Sequence, residues 1–136
     1  MNLNLSAGGF IIKNQERQQL PLLIHPSVTE MRKLLTAVEG GDGIINITND
    51  DEPDIGVQNL ELYAENHRYL IMLYEIDEAG EPQVRLPIDN GASGLEEFFG
   101  ELYPAHGITQ DFQAVSTIFE TFILTGNLTE INQVRP

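Results

Sequence analysis

The stretch Leu60-Glu61-Leu62-Tyr63-Ala64-Glu65-Asn66-His67-Arg68-Tyr69-Leu70-Ile71-Met72-Leu73-Tyr74 decides the fold. In its first half Leu60, Leu62 and Ala64 alternate with Glu61, Tyr63 and Glu65, the period of two expected of a half-buried strand. Asn66-His67 is a short polar turn. The run 69–74 that follows is rich in β-favouring side chains. Two such runs around a short turn read as a β-hairpin, and a hairpin at the centre of the chain points to an antiparallel sheet.

Working back towards the N-terminus, residues 43–48 read as a further strand. Before it lies a helix. Ser27 is placed to cap it and Glu30, three residues on, completes a capping box. Val28, Met31, Leu34, Leu35 and Val38 form one apolar face, and Gly40-Gly41 stop the helix. Residues 20–26 carry Pro21 and Pro26 and read as an extended connector. Residues 3–13 alternate loosely and read as a strand bent or bulged at Gly8-Gly9. Towards the C-terminus, residues 77–82 are a turn, and 84–88 an edge strand because of Pro87. Residues 89–94 are a loop. Leu95, Phe98, Phe99 and Leu102 fit helical spacing, but a short strand fits residues 95–103 as well. Asp111 opens a second helix with Phe112, Val115, Phe119, Phe122 and Ile123 on its apolar face and Ile118 beside it; Gly126 ends it. Residues 128–134 read as a last short strand. The expected fold is a single α+β domain over residues 1–136, with an antiparallel sheet of about five strands and two helices packed on one face.

Charge is distributed unevenly over this frame. Residues 42–101 hold fifteen carboxylates against Arg68 and Arg85, whereas the rest of the chain holds six against five cations. Such a segment repels nucleic acid and anionic membranes and attracts cationic partners. The chain has no cysteine, which excludes disulfides, thiolate catalysis and cysteine-ligated zinc and fits a reducing compartment. No cationic and apolar leader is visible at Met1, and no apolar run is long enough to span a bilayer. The expectation is a cytoplasmic protein that binds neither nucleic acid nor membrane.

The densest acidic cluster is Asp50, Asp51, Glu52 and Asp54. Asp50, Glu52, Asp54 and Glu61 match positions of a calcium loop, but Ile55 stands where the loop needs glycine, and strand rather than helix follows. A solvated loop or a partner-binding loop fits better. Glu75, Asp77, Glu78 and Glu81 close the central hairpin's second strand, and Glu96, Glu97 and Glu101 follow the glycine-rich loop; these groups are expected to converge on one edge. Tyr63, Tyr74, Tyr103 and Phe98 or Phe99 are candidate anchors, because buried aromatics supply much of an interface's affinity. Chemistry has no comparable signature. His25, His67 and His106 show no ligand spacing, Gly91-Ala92-Ser93-Gly94 lacks the spacer of a nucleophile elbow, and Gly40-Gly41-Asp42-Gly43 follows a helix where a phosphate cradle would precede one. No catalytic residue, cofactor or metal is expected.

Gly8-Gly9-Phe10, the hairpin of residues 60–65 and 69–73, and the closing pattern Ile108-Thr109-Gln110-Asp111-Phe112, Val115, Ile118-Phe119, Phe122 and Gly126-Asn127-Leu128 together resemble a family of small acidic bacterial proteins. That family is associated with immunity proteins of contact-dependent growth inhibition and other polymorphic toxin systems. The chain departs from the pattern at Ile11, where an aromatic would be expected, and it has no tryptophan. The resemblance implies a stoichiometric, non-catalytic inhibitor of a cognate toxin domain. With the charge, it suggests a basic, nuclease-like toxin held by Asp50, Asp51, Glu52, Asp54, Glu75, Asp77, Glu78, Glu96 and Glu97, with Tyr74 or Tyr103 as anchors. The competing expectation is an interaction or regulatory module, homo-oligomeric in one form, whose acidity is incidental.

Overall fold

The computed structural model describes residues 4–126. Its centre is an antiparallel sheet built on four long strands: β1 (Leu5–Lys13), β4 (Asp42–Asn49), β5 (Gly56–Glu65) and β6 (Arg68–Ile76). Short strands extend both sides. β2 (Glu16–Gln19) and β3 (Leu23–Ile24) pair with β1, while β7 (Pro82–Arg85) and β10 (Ile108–Thr109) pair with β6. A separate hairpin is formed by β8 (Leu95–Phe98) and β9 (Glu101–Pro104). Helices α1 (Val28–Thr36) and α2 (Phe112–Thr125) complete the α+β fold. The class is the expected one, with a larger sheet. The strand expected at residues 128–134 lies outside the described residues.

Local chemistry accounts for the element ends. Ser27 accepts from the Glu30 amide while the Glu30 carboxylate accepts from the Ser27 amide, the reciprocal capping box. Asp111 caps α2 by accepting from the Gln113 amide, and Gly126 ends it at φ 70°. The turns Asn14-Gln15, Asn66-His67 and Phe99-Gly100 each place two successive residues at positive φ. That geometry matches the twist of a two-residue hairpin.

One face of the sheet carries the main core. Ile45, Ile47, Leu60, Leu62, Ala64, Ile71 and Leu73 meet Met31, Leu34, Leu35 and Val38 after and within α1, and Val115, Ile118, Phe119 and Phe122 of α2. Arg32 and Glu120 tie the two helices at the surface. The other face has its own smaller cluster. Leu70, Met72, Phe98 and Ile108 are buried there, with Tyr63, Tyr74, Leu86, Phe99 and Tyr103 packed around them. The β8–β9 hairpin therefore lies over the second face of β5 and β6. This resolves the ambiguity of residues 95–103 as strand, and it explains why residues 69–73 are apolar throughout and not alternating: β6 is covered on both sides.

The sheet corrects two further expectations. β1 runs in unbroken register with β4 from Leu5 opposite Asn49 to Ile12 opposite Asp42, so Gly8-Gly9 is not a bulge. Gly9 instead permits close approach: a Cβ there would lie 2.0 Å from the Ile44 carbonyl oxygen. The register shift sits in β5, between Val57 and Asn59. The edge strand expected at residues 84–88 ends at Arg85, with Pro82 as its first residue, a position that needs no ladder donor.

Candidate partner-binding face

Strand alternation decides which side chains reach the second face. With Leu60, Leu62 and Ala64 turned into the main core, Glu61 and Tyr63 point the other way. Register sets Glu61 opposite Met72, and Asn59 opposite Tyr74. In the covering hairpin Glu96 pairs with Tyr103 and Phe98 with Glu101, so these four side chains share one side, and fully buried Phe98 fixes that side against the sheet. Glu97 and Leu102 point outward.

The result is a patch of three half-buried tyrosines and two carboxylates. The Tyr63 ring meets Tyr103 edge-on at 5.6 Å and Phe99 at 5.9 Å. The Tyr103 hydroxyl donates to Glu101 Oε2 at 3.1 Å. The Tyr74 hydroxyl contacts Met72 Sδ at 3.7 Å. Burial, and then the Glu61 charge, push the Tyr74 phenol up to about 12. The same two causes raise Tyr63. Burial raises Tyr103, reinforced by its hydrogen bond to Glu101. The phenols therefore stay neutral donors beside two anionic groups. Beyond β5 the same face continues over β4 and β1 as an open groove of about 320 Å³, bordered by Ser6, Phe10, Arg17, Leu22, Asn46 and Thr48. Arg17 lies over the Phe10 ring there, 3.6 Å from its centroid.

A family model described as a family of unknown function, DUF6911, matches residues 4–131. The chain belongs to this family. DUF6911 membership spans the whole sheet, both helices and the covering hairpin. The fold is similar to the crystal structure of a hypothetical protein from Neisseria gonorrhoeae, with a TM-score of 0.81 and 27% sequence identity over 94% of this chain and 92% of that one. No curated protein matches the chain.

The carboxylates singled out in the sequence do not converge on one edge. Asp50, Asp51, Glu52 and Asp54 lie between β4 and β5, at the sheet end where β6 turns into β7. Asp50 Oδ1 accepts from Ser6 Oγ at 3.1 Å, and Asp51 accepts from the Asn4 amide and side chain at 3.3 and 3.2 Å, so this loop is anchored to β1. Glu75 pairs with Arg85 Nε at 3.3 Å. Asp77 organises its own turn, accepting from the Ala79 and Glu81 amides at 2.9 Å each and from Gln83 Nε2 at 3.1 Å. Those hydrogen bonds, chiefly the one from Glu81, hold its carboxyl below the usual carboxylate range. Glu78 is exposed at the same turn. Glu96 and Glu97 belong to the opposite end, by the β5–β6 turn. Arg68 donates to Glu96 Oε1 and to the Glu97 carbonyl, both at 2.8 Å, and lies over Phe98 at 4.3 Å. The strand ends separate the two groups because β5 and β6 are nine or ten residues long.

Tyr74 and Tyr103, chosen as anchors, both pack around the buried cluster of the second face. Sequence reasoning missed Glu61 and Glu101 as their companions. The signal for Glu61 was present in the alternation of residues 60–65, which puts it on one side with Tyr63. The signal for Glu101 was hidden until residues 95–103 were known to form a hairpin.

Proposed function

We propose that this DUF6911 protein is an immunity-type inhibitor that neutralises a cognate, basic toxin domain by docking it on the second face of the sheet. The observation that carries the reading is the patch of Tyr63, Tyr74 and Tyr103 with Glu61 and Glu101, set within the segment of fifteen carboxylates and two cations. Half-buried tyrosines supply contact area with little ordering cost, which suits interface hot spots. The surrounding carboxylates speed encounter with a cationic cleft by roughly 10–10³-fold and set orientation. The acidic loop at residues 50–54 then steers from the sheet end while the tyrosines anchor. The protein acts by occupancy, without chemistry of its own, in the cytoplasm of the cell that makes the toxin.

Affinity capture from the native cell tests this. A basic protein retained in near-equal amount at low salt and released at high salt supports the reading, and no stoichiometric basic partner under either wash overturns it. A second reading, a self-associating interaction module, is favoured by one observation: Leu22 and Ile24 are 69% and 62% exposed beside the outer edge formed by β2 and β3. Light scattering over a concentration series separates the two, since an inhibitor with this net charge stays monomeric when alone.

A further inference from the structure

The tyrosine patch has the parts of a guanidinium site apart from the guanidinium. We infer that Glu61, with the rings of Tyr63, Tyr74 and Tyr103, seats an arginine side chain presented by the basic partner; this inference rests on the docking reading above. Three observations lead to it.

The first is charge. Among the described residues no ion pair involves Glu61 or Glu101: Arg68 is committed to Glu96 and Glu65, and Arg85 to Glu75. Two carboxylates on this face, without an ion-pair partner among the described residues, complement a positive group from outside. The second is geometry. Tyr63 meets Tyr103 edge-on at 87°, the Tyr103 hydroxyl bonds the Glu101 carboxylate, and the register of β5 and β6 sets Glu61 on the same face between Tyr63 and Tyr74. A flat guanidinium stacks on a ring and bonds a carboxylate with its fork at once, whereas an ammonium is a compact, strongly hydrated point charge. The third is that the chain builds this arrangement for itself next to the patch, on the same side of the hairpin, where the Arg68 guanidinium lies over Phe98 and bonds Glu96. Glu61 and the tyrosines repeat ring and carboxylate, with the cation to be supplied by the partner.

The chain has four tyrosines and no tryptophan, so its intrinsic emission comes from tyrosine and reports largely on this patch. The test titrates the full chain with a hexa-arginine peptide and, separately, a hexa-lysine peptide, following tyrosine emission. The expected result is saturable binding that favours arginine several-fold over lysine. Glu61→Gln should weaken it about tenfold, and Glu101→Gln to a smaller extent. Replacing four carboxylates at the sheet end (Asp50→Asn, Asp51→Asn, Glu52→Gln and Asp54→Asn) should weaken it less than Glu61→Gln alone. Equal affinity for the two peptides, or a larger loss from the four-residue change, would show diffuse attraction and overturn the inference. Circular dichroism of each variant checks that it is folded, and Glu101→Gln carries the test if Glu61→Gln is not. Failure here is distinct from failure of the docking reading: a partner captured equally by wild type and Glu61→Gln removes the arginine seat and keeps the inhibitor. Patch-specific hexa-arginine binding with no partner in the cell does the reverse.

Discussion

Replacing Gly9 with alanine should destabilise the protein severely, while the same change at its neighbour Gly8 should not. At Gly9 (φ +152°) an added Cβ would meet the Ile44 carbonyl oxygen at 2.0 Å and Ile45 Cα at 2.9 Å, both backbone atoms of the paired strand. Relief requires β1 to move from β4 by roughly 1 Å, which weakens about two ladder hydrogen bonds at ~1 kcal/mol each and adds ~1–3 kcal/mol of backbone strain. The total, about 3–5 kcal/mol, is a large share of the 5–15 kcal/mol typical of a domain. It corresponds to a melting temperature lower by about 10–20 °C in a chain of this size. At Gly8 the nearest atom to a new Cβ is Leu22 Cδ1 at 3.6 Å, an ordinary contact, and the backbone is extended. Gly8→Ala should therefore be neutral or stabilising by up to ~1 kcal/mol, because alanine narrows the unfolded ensemble. Urea unfolding followed by far-UV circular dichroism measures both. Gly9→Ala within about 0.5 kcal/mol of wild type would refute the unbroken β1–β4 register.

Other consequences are open to direct measurement. Tyrosine ionisation followed by absorbance near 295 nm should show Tyr74 titrating near 12 with Tyr63 and Tyr103 also above the ordinary range, and Glu61→Gln should bring Tyr74 and Tyr63 down. Because these folded-state values are raised, the stability they carry is intact below pH 10 and is lost as pH climbs towards 12; urea midpoints across that window should fall, and less so in Glu61→Gln. Phe98→Ala should cost about 3–5 kcal/mol, since the ring is fully buried under Arg68 and beside Tyr103, and hydrogen exchange should show the β8–β9 hairpin detaching first. Asp77 has a lowered carboxyl, so its hold on the β6–β7 turn is present above the ordinary carboxylate range and lost as pH falls through its depressed value. Protection of the Ala79 and Glu81 amides, taken relative to their intrinsic exchange rates, should fall in that range, and Asp77→Asn should remove that pH-dependent loss of protection.

The main elements were legible wherever one physical signal dominated. The alternation of residues 60–65 and the continuous apolar run after Asn66-His67 mark β5 and β6 without help from distant residues, and the Ser27–Glu30 box and the Asp111 cap mark the helix starts. What stayed hidden depends on tertiary contact. Leu95, Phe98 and Leu102 satisfy helical spacing, but Gly100 at φ +85° and Phe99 at φ +49° turn the chain back on itself, and Phe98 then packs onto the sheet. Gly8-Gly9 looks like a bulge in one dimension; only the facing Ile44 carbonyl shows that a glycine is needed for close approach. Tyr74 and Tyr103 share a face, but the carboxylates chosen with them were picked by density along the chain, and Asp50, Glu75, Asp77 and Glu96 are engaged by Ser6, Arg85, local amides and Arg68. Density in sequence says little about convergence when long strands carry neighbours to opposite ends of a sheet.

The central claim is that the second face, and not the acidic loop, holds a basic partner. The most direct test is a side-by-side capture from the native cell with three baits: wild type, Glu61→Gln with Tyr74→Ala, and the loop variant with residues 50, 51, 52 and 54 made neutral. The account predicts one basic protein bound in near-equal amount by wild type and by the loop variant at low salt, and lost from the Glu61/Tyr74 bait. A partner lost from the loop variant but kept by the Glu61/Tyr74 bait would move the site to the sheet end, and no stoichiometric basic partner on any bait would contradict the inhibitor account altogether.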